Sequence, residues 1–232
     1  MRFVITRRLA LAGGATAAFV PSARAAEESK AEREIVDKAR NTVEAVRRDR
    51  DLANVNQLLP RAKAALVCPA LHKAGFIFGA EAGSGVLCAR GADGGWSAPA
   101  FYSIGSGSIG LQAGYEKSEV IFLVMTDKGL EQILKSQFKL GAEASVAVGP
   151  KGGGVEAATT LAAGADIYSF ARAKGAFLGA SFEGSVISSR ESRNKAYYGK
   201  PATARDIVVN RKFSSAYAKG LQEALARPAP AA

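Results

Sequence analysis

A chain of 232 residues with 48% hydrophobic and 22% charged residues has the composition of a folded soluble protein. Its formal net charge of +10 indicates attraction to anionic surfaces, either lipid head groups or nucleic acid. The two cysteines, Cys68 and Cys88, stand 20 residues apart, which excludes a C-x-x-C redox or zinc motif.

The first 25 residues predict a secretory signal peptide. Basic residues precede an apolar run from Leu9 to Val20, which is too short to span a bilayer, and Ala23-x-Ala25 is a typical cleavage site. Arg7 and Arg8 resemble a twin-arginine signal but also occur in ordinary Sec signals, so both routes stay open. We expect a periplasmic or secreted protein. For such a protein, nucleic acid is a less favoured partner than a lipid surface. Cleavage removes four arginines and lowers the charge from +10 to +6.

Residues 26–54 form the next predicted segment, with a helix over 27–51. Ile35, Ala39, Val43 and Val46 recur at helical spacing, and charged residues, many of them arginines, fill the other face. Two interpretations follow. The helix lies on an acidic membrane, or it docks on the domain with a solvated charged face. The apolar face lacks Trp, Phe and Leu, which favours docking.

Residues 55–226 predict one α+β domain, followed by a disordered tail at 227–232. In this fold, short helices pack with the N-terminal helix on a glycine-rich, mainly antiparallel, barrel-like sheet. Helices are expected after Pro60, over 126–138 and 189–199, and near the C-terminus over 212–226. "EAGSGV" and "RGADGGW" are expected to be turns. Strands are predicted at 65–68, 74–81, 85–90, 96–104, 108–115, 118–125, 143–148, 165–172 and 176–188.

Gly105, Gly107 and Gly110 match the G-x-G-x-x-G spacing of dinucleotide-binding loops, and Asp127 follows at a suitable distance. Only "LQAGYEK" separates the last glycine from the next predicted strand, and a parallel crossover needs a dozen residues or more. We therefore expect a tight turn at "EKSE" between antiparallel strands. The glycines would then permit a bulge or relieve crowding.

Other catalytic patterns are weak, so we expect no enzyme, no metal site and no cofactor. An enzyme would have to gather Glu183, His72 and either Ser106 or Ser108 in one cleft. Glu183 is expected to be a structural acid, and His72, the single histidine, a surface or turn residue. The two cysteines are either a disulfide formed in an oxidising compartment or two buried small hydrophobes.

Several strings together resemble the SYLF domain, a lipid-binding family found in eukaryotic endocytic proteins and in exported bacterial proteins. The strings include "LPRAKAALVCP", "KAGFIFGAEAGSGVLCAR", "DGGWSAPAFYSIG", "GLQAGYEKSEVIFLVMT" and "AKGAFLGASFEGSVISSRESRNKAYYG". The resemblance covers roughly residues 55–200. Cys68 and Cys88 stand where the family usually has aliphatic residues, a departure that fits a disulfide gained by an exported protein.

The resemblance implies non-enzymatic binding of anionic phospholipid, of the phosphoinositide type in eukaryotic members, with actin binding in some members. The basic residues expected to contact phosphate are Arg47, Arg48, Arg61, Lys63, Lys73 and Arg90. We do not expect actin as a partner in a bacterial envelope. The alternative is a structural or protein-interaction module of the cell envelope without a lipid role.

Overall fold

The computed structural model describes residues 23–75, 78–109, 114–149, 164–174 and 182–228. Within these ranges the helices are α1 (Ala23–Arg48), α2 (Val55–Leu58), α3 (Asp127–Ile133), α4 (Glu191–Tyr198), α5 (Ala204–Val208) and α6 (Lys219–Ala226). The strands are β1 (Ala64–Gly75), β2 (Phe78–Ala89), β3 (Ala100–Ile109), β4 (Gly114–Val124), β5 (Gln137–Lys139), β6 (Val146–Val148), β7 (Ile167–Lys174) and β8 (Val186–Ser189). The predicted α+β class is confirmed.

The strands form one curled sheet in the order β5-β8-β3-β2-β1-β4-β7-β6. All neighbouring pairs are antiparallel except β6 and β7, which run parallel. The outermost strands β5 and β6 are joined in sequence by residues 140–145 alone, and a Leu140–Ala144 bridge lies within that link. The sheet therefore curls into a half-barrel whose two edges approach each other at this link.

The inside of the half-barrel is filled by apolar side chains from alternate positions of the strands. Its largest buried members include Leu66, Leu87, Tyr102, Phe122, Phe138 and Ile187. Ile133 of α3 and Ile207 of α5 belong to the same cluster and lie at the end where β1 begins, which we call the lower end. At the other end, strands β1 to β4 extend beyond this packing.

Helices α1, α2 and α6 cover the outer face of the sheet. Val36, Ala39, Val43 and Val46 of α1 are buried against the outward-facing residues of the strands. The structure shows the helix docked through its apolar face, and contact of its charged face with an acidic membrane stays a prediction. Among the described helices, none combines the length and apolarity that crossing a bilayer requires.

The first two glycines of the G-x-G-x-x-G motif do not lie in a loop. Gly105 and Gly107 lie inside β3, where pairing with β2 continues without a register shift. A Cβ atom added at Gly107 would meet nothing within 4 Å, and one at Gly105 would meet only the Glu81 carbonyl at 3.6 Å. The predicted bulge or crowding is therefore wrong at these two positions, and Gly110 lies outside the described residues.

The close backbone approach occurs on the neighbouring strand instead. "EAGSGV", predicted as a turn, lies within β2, where its glycines face an irregularity of β1 between Val67 and Ala70. A Cβ at Gly83 would stand 2.8 Å from the Ala70 carbonyl oxygen, and one at Gly85 would stand 2.6 Å from that of Val67. Side chains are excluded here because the irregular stretch of β1 lies against this strand.

Two other local predictions are also corrected. "EKSE" is not a turn but the first half of β4, which is antiparallel to β3 yet separated from it by β2 and β1. The helix predicted over 126–138 ends at Ile133, and β5 begins at Gln137. The turn predicted at "RGADGGW" is confirmed, with Gly94 at a positive φ of 77°.

The candidate disulfide does not form, because Cys68 and Cys88 are both free thiols. Cys68 packs in the inner cluster and Cys88 in the outer one, so the two side chains lie on opposite faces of the sheet. Burial raises the pKa of each thiol to about 12. The alternative of two buried small hydrophobes is the one that this structure supports.

Candidate functional site

The six basic residues predicted to contact phosphate do not form one patch. Arg47 and Arg48 end α1, whereas Lys73 lies in β1 near its far end. Arg61 and Lys63 stand in the turn before β1, and Arg90 follows β2. Each therefore has to be assessed from its own surroundings.

Arg47 is a buried structural residue with 7% exposure. Its Nε donates to Asn56 Oδ1 at 2.8 Å, and its Nη1 and Nη2 donate to the carbonyls of Ala224 and Pro228, both at 2.8 Å. These bonds fasten the end of α1 to the residues that end α6. A guanidinium has five N–H donors, so two remain beyond these three bonds.

A cavity of about 180 Å³ opens beside this contact. Its lining residues are Glu44, Arg47, Arg48, Ala224, Arg227 and Pro228. Pockets that enclose a whole small molecule usually measure about 300–1,000 Å³, so this one suits a small charged group such as a phosphate. We call it the arginine cavity.

The arginine cavity has a positive surplus, because three guanidiniums share it with one carboxylate. Desolvation and the charge of Arg227 both lower the pKa of Arg47. Glu44 is engaged by Arg40 at 3.2 Å and by the well-exposed Arg48 at 3.8 Å. Exposed pairs of this kind contribute little, so an incoming anion could take over the Arg48 guanidinium at small cost.

Arg90 makes several structural contacts, and its role as a phosphate contact stays a prediction. Its guanidinium donates to the carbonyls of Leu59 at 3.0 Å, Ala62 at 3.3 Å and Gly94 at 2.9 Å. It also lies 4.5 Å from the ring centroid of Trp96, and burial lowers its pKa. Arg90 thus holds the turn before β1 and the turn after β2 together.

Of the remaining three predicted residues, Arg61 and Lys63 share the turn before β1, and Lys73 lies at the far end of that strand. Lys63 pairs with Asp127 Oδ1 at 2.8 Å, and Arg61 is exposed. Lys73 points to the inner face of the sheet, where its strand neighbours are Glu81 and Glu116. Of the six, only Arg47 and Arg48 are therefore brought to one cavity.

A second cleft, of about 370 Å³, lies between α4 and α5. Its lining includes Glu191, Lys195 and Asp206, so its acids outnumber its bases. Lys212 and Asn210 hold the Asp206 carboxylate and lower its pKa to about 2. This cleft does not suit an anion.

Two of the residues that an enzyme would have to gather lie on opposite faces of the sheet. The alternation of side chains along β1 and β3 puts His72 on the outer face and Ser106 on the inner face. His72 is exposed and pairs with the Tyr115 hydroxyl at 2.6 Å. Glu183 lies in the turn before β8, and the side chain of Ser108 lies outside the described residues.

Arg227 is a site residue that no sequence pattern indicates. It falls in the segment predicted to be a disordered tail, yet Pro228 accepts a hydrogen bond from Arg47. Arg227 follows Ala226, and α6 ends there, so its position depends on the packing of α6 against α1. No local pattern near residue 227 could have indicated a partner about 180 positions away.

Comparisons with a family model and with individual known proteins point to the same family. The Ysc84 family, described as Las17-binding protein actin regulator, matches residues 105–228. LAS seventeen-binding protein 3 of Saccharomyces cerevisiae is 37% identical over 157 residues, which cover 66% of this chain and 34% of that protein. SH3 domain-containing YSC84-like protein 1 of Homo sapiens is 34% identical over 154 residues, which cover 66% of this chain and 45% of that protein.

The chain thus spans only a third to under half of the length of these relatives. The family match nevertheless covers more than half of its own residues, including β4, β7, the helices α3 to α6, and Arg227 of the arginine cavity. This chain belongs to the Ysc84 family, the SYLF-domain family that its sequence resembles.

Proposed function

We propose that this chain binds anionic phospholipid at a membrane surface, with the arginine cavity as the contact for a lipid phosphate. The observation that supports this most is the convergence of Arg47, Arg48 and Arg227 on one small cavity with a single carboxylate. Like charges are brought together at a cost, which a bound anion would remove. Guanidinium groups also match phosphate oxygens in two-bond geometry.

The docking of α1 supports a contact at the membrane surface over insertion into the bilayer. Because its apolar face is buried against the sheet, insertion of α1 into the acyl chains would require undocking. We therefore propose a peripheral, electrostatic and reversible association. Each arginine near an anionic surface contributes about 1 kcal/mol, and salt screens that contribution.

The double substitution Arg48→Ala with Arg227→Ala is expected to weaken binding to acidic vesicles. Loss of two contacts of about 1 kcal/mol each corresponds to roughly 30-fold in affinity. Co-sedimentation of the chain lacking residues 1–25 with phosphatidylserine-containing vesicles measures the change. Arg47 stays in place, because its removal would disturb the fold.

The matched control is Lys38→Ala with Lys135→Ala. Both lysines have half-exposed side chains with an acidic partner, and neither lines the arginine cavity. The control removes the same charge and is expected to retain most of the binding. An equal loss in both double variants, or equal binding of the unchanged chain to neutral and acidic vesicles, would contradict the proposal.

A preference for phosphoinositides is the finer form of this proposal, suggested by the family resemblance. A small cavity with surplus positive charge favours a head group that carries more than one phosphate. Vesicles matched in total charge, containing either phosphatidylserine or a phosphoinositide, separate the two forms. Tighter binding to the phosphoinositide vesicles supports the specific form, and equal binding supports generic anionic-lipid recognition.

A protein-interaction module is the second candidate function. Its support is the name of the yeast relative, LAS seventeen-binding protein 3, which describes binding to another protein. This candidate would be favoured if affinity capture recovered a stoichiometric protein partner and the chain did not bind acidic vesicles. The expectation that actin is not a partner stays a prediction, which co-sedimentation with filamentous actin tests.

Export also stays a proposal, and it rests on residues 1–25. Expression of the full chain in a bacterium is expected to yield an envelope or secreted form that begins at Ala26. Intact mass determination of that form gives the cleavage point. Replacing Arg7 and Arg8 with lysine separates the routes, because twin-arginine export depends on the pair whereas Sec export needs only positive charge.

A further inference from the structure

The upper part of the sheet has a row of charges on its inner face. Glu81 of β2, Lys73 of β1 and Glu116 of β4 are direct neighbours in register, so one ammonium group lies between two carboxylates. On the other side of Glu81, its register partner on β3 is the neutral Ser106. We call Glu81, Lys73 and Glu116 the charged row.

The charged row is largely withdrawn from solvent. Glu116 is 8% exposed, and Glu81 and Lys73 are half-buried. Glu81 Oε2 has one long contact with the Ser106 hydroxyl at 3.5 Å, and Glu81 Oε1 is buried without a hydrogen-bond partner among the described residues. With all three groups ionised, the row has one negative charge too many for its surroundings.

Burial raises the pKa of Glu81 above its ordinary value of 4.5, and the Glu116 charge acts in the same direction. Lys73 and the Ser106 hydroxyl oppose that rise. In the described part of the chain, the charged and titratable groups facing Glu81 are these two neighbours, Lys73 and Glu116, and the Cys68 thiol deeper on β1. A single proton would leave Lys73 balanced by Glu116.

We propose that the charged row is a proton-operated latch: proton uptake at Glu81 tightens the upper sheet, and proton release loosens it. The upper sheet comprises the ends of strands β1 to β4 from Leu71, the last inner-core residue of β1, onward, over residues 71–75, 78–83, 105–109 and 114–118. Because the folded state holds this proton more tightly than the unfolded chain does, the stabilisation is complete below pH 4.5. It is lost as pH rises through the elevated pKa of Glu81.

Hydrogen exchange measured by mass spectrometry, corrected for the intrinsic pH dependence of exchange, tests the latch in the chain lacking residues 1–25. Between pH 4.5 and pH 8, amides of residues 71–75 and 78–82 are expected to lose protection severalfold. Amides of residues 120–124, at the lower end of β4, serve as the internal reference and are expected to change little. An equal loss in both regions would mean a general change in stability and would overturn the proposal.

Three substitutions give distinct signatures. Glu81→Gln keeps the shape, removes the titration and is expected to abolish the difference in protection. Lys73→Met removes the charge that favours ionised Glu81, so the midpoint of the transition moves to higher pH. Glu116→Gln removes the charge that opposes it, so the midpoint moves to lower pH. A residue with a merely structural role would not produce shifts of opposite sign, and a Glu81→Gln variant that keeps the original pH response would refute the latch.

Discussion

Replacing Gly85 with alanine is expected to lower the free energy of unfolding by about 3 kcal/mol, at the upper end of the usual cost of overpacking. The new Cβ would stand 2.6 Å from the Val67 carbonyl oxygen and 3.3 Å from the Cys68 Cα. Both are backbone atoms of β1, so no side chain can rotate away. Urea denaturation followed through the fluorescence of Trp96, the single tryptophan and only 5% exposed, measures the loss.

Gly107→Ala is the matched control on the adjacent strand. Its Cβ would meet nothing within 4 Å, so alanine is expected to be neutral or to stabilise by up to about 1 kcal/mol through the unfolded chain. If both substitutions destabilise equally, general loss of glycine flexibility explains the effect. Close approach to the irregular stretch of β1 would then be the wrong explanation for Gly85.

Replacing Asp166 with alanine is expected to cost about 3 kcal/mol of unfolding free energy. This buried carboxylate accepts hydrogen bonds from the Thr126 hydroxyl at 2.6 Å and from the Ser145 N–H and hydroxyl at 3.0 and 2.9 Å. Lys128 reaches it at 3.3 Å. It therefore joins the start of α3 to the segment before β6, and alanine would leave these donors without an acceptor.

The same carboxylate predicts a defined dependence on acid. The Thr126 hydroxyl, the Ser145 donors and Lys128 lower the pKa of Asp166 from 3.8 to about 2. A lowered pKa in the folded state stabilises the protein at pH above 3.8, and that contribution of about 2 kcal/mol is lost as pH falls toward 2. Urea titrations between pH 2 and 6 are expected to show this loss in the unchanged chain and not in Asp166→Asn, and parallel curves would contradict it.

Periodicity predicted a helix where α1 lies and favoured its docking without deciding it, because a narrow stripe without large apolar side chains suits a sheet better than a bilayer. It failed at "EAGSGV" and "EKSE", where turn-forming composition lies inside long strands. In the first case glycines are required because the backbone of β1 lies against them. That contact exists only once the two strands have paired in the folded sheet. Local composition shows that glycines are present but does not show the tertiary contact that requires them.

The arginine cavity was only half predictable. Arg47 and Arg48 belong to a basic helix end, but the same reasoning selected Arg90, which donates three hydrogen bonds to neighbouring carbonyls and lies over a tryptophan ring. Charge alone does not distinguish a guanidinium that holds turns together from one that faces a ligand. The position of Arg227 in the cavity could be recognised only from the packing of α6 against α1.

The link between β5 and β6 affects the tendency of the protein to aggregate in concentrated solution. An exposed sheet edge presents unpaired backbone groups to which another chain can add, and this is a common start of aggregation. Here the two edges meet through residues 140–145. Detachment of that short link would therefore expose the unpaired backbone groups of both edge strands at once. We therefore expect local opening of the link to promote self-association of the chain.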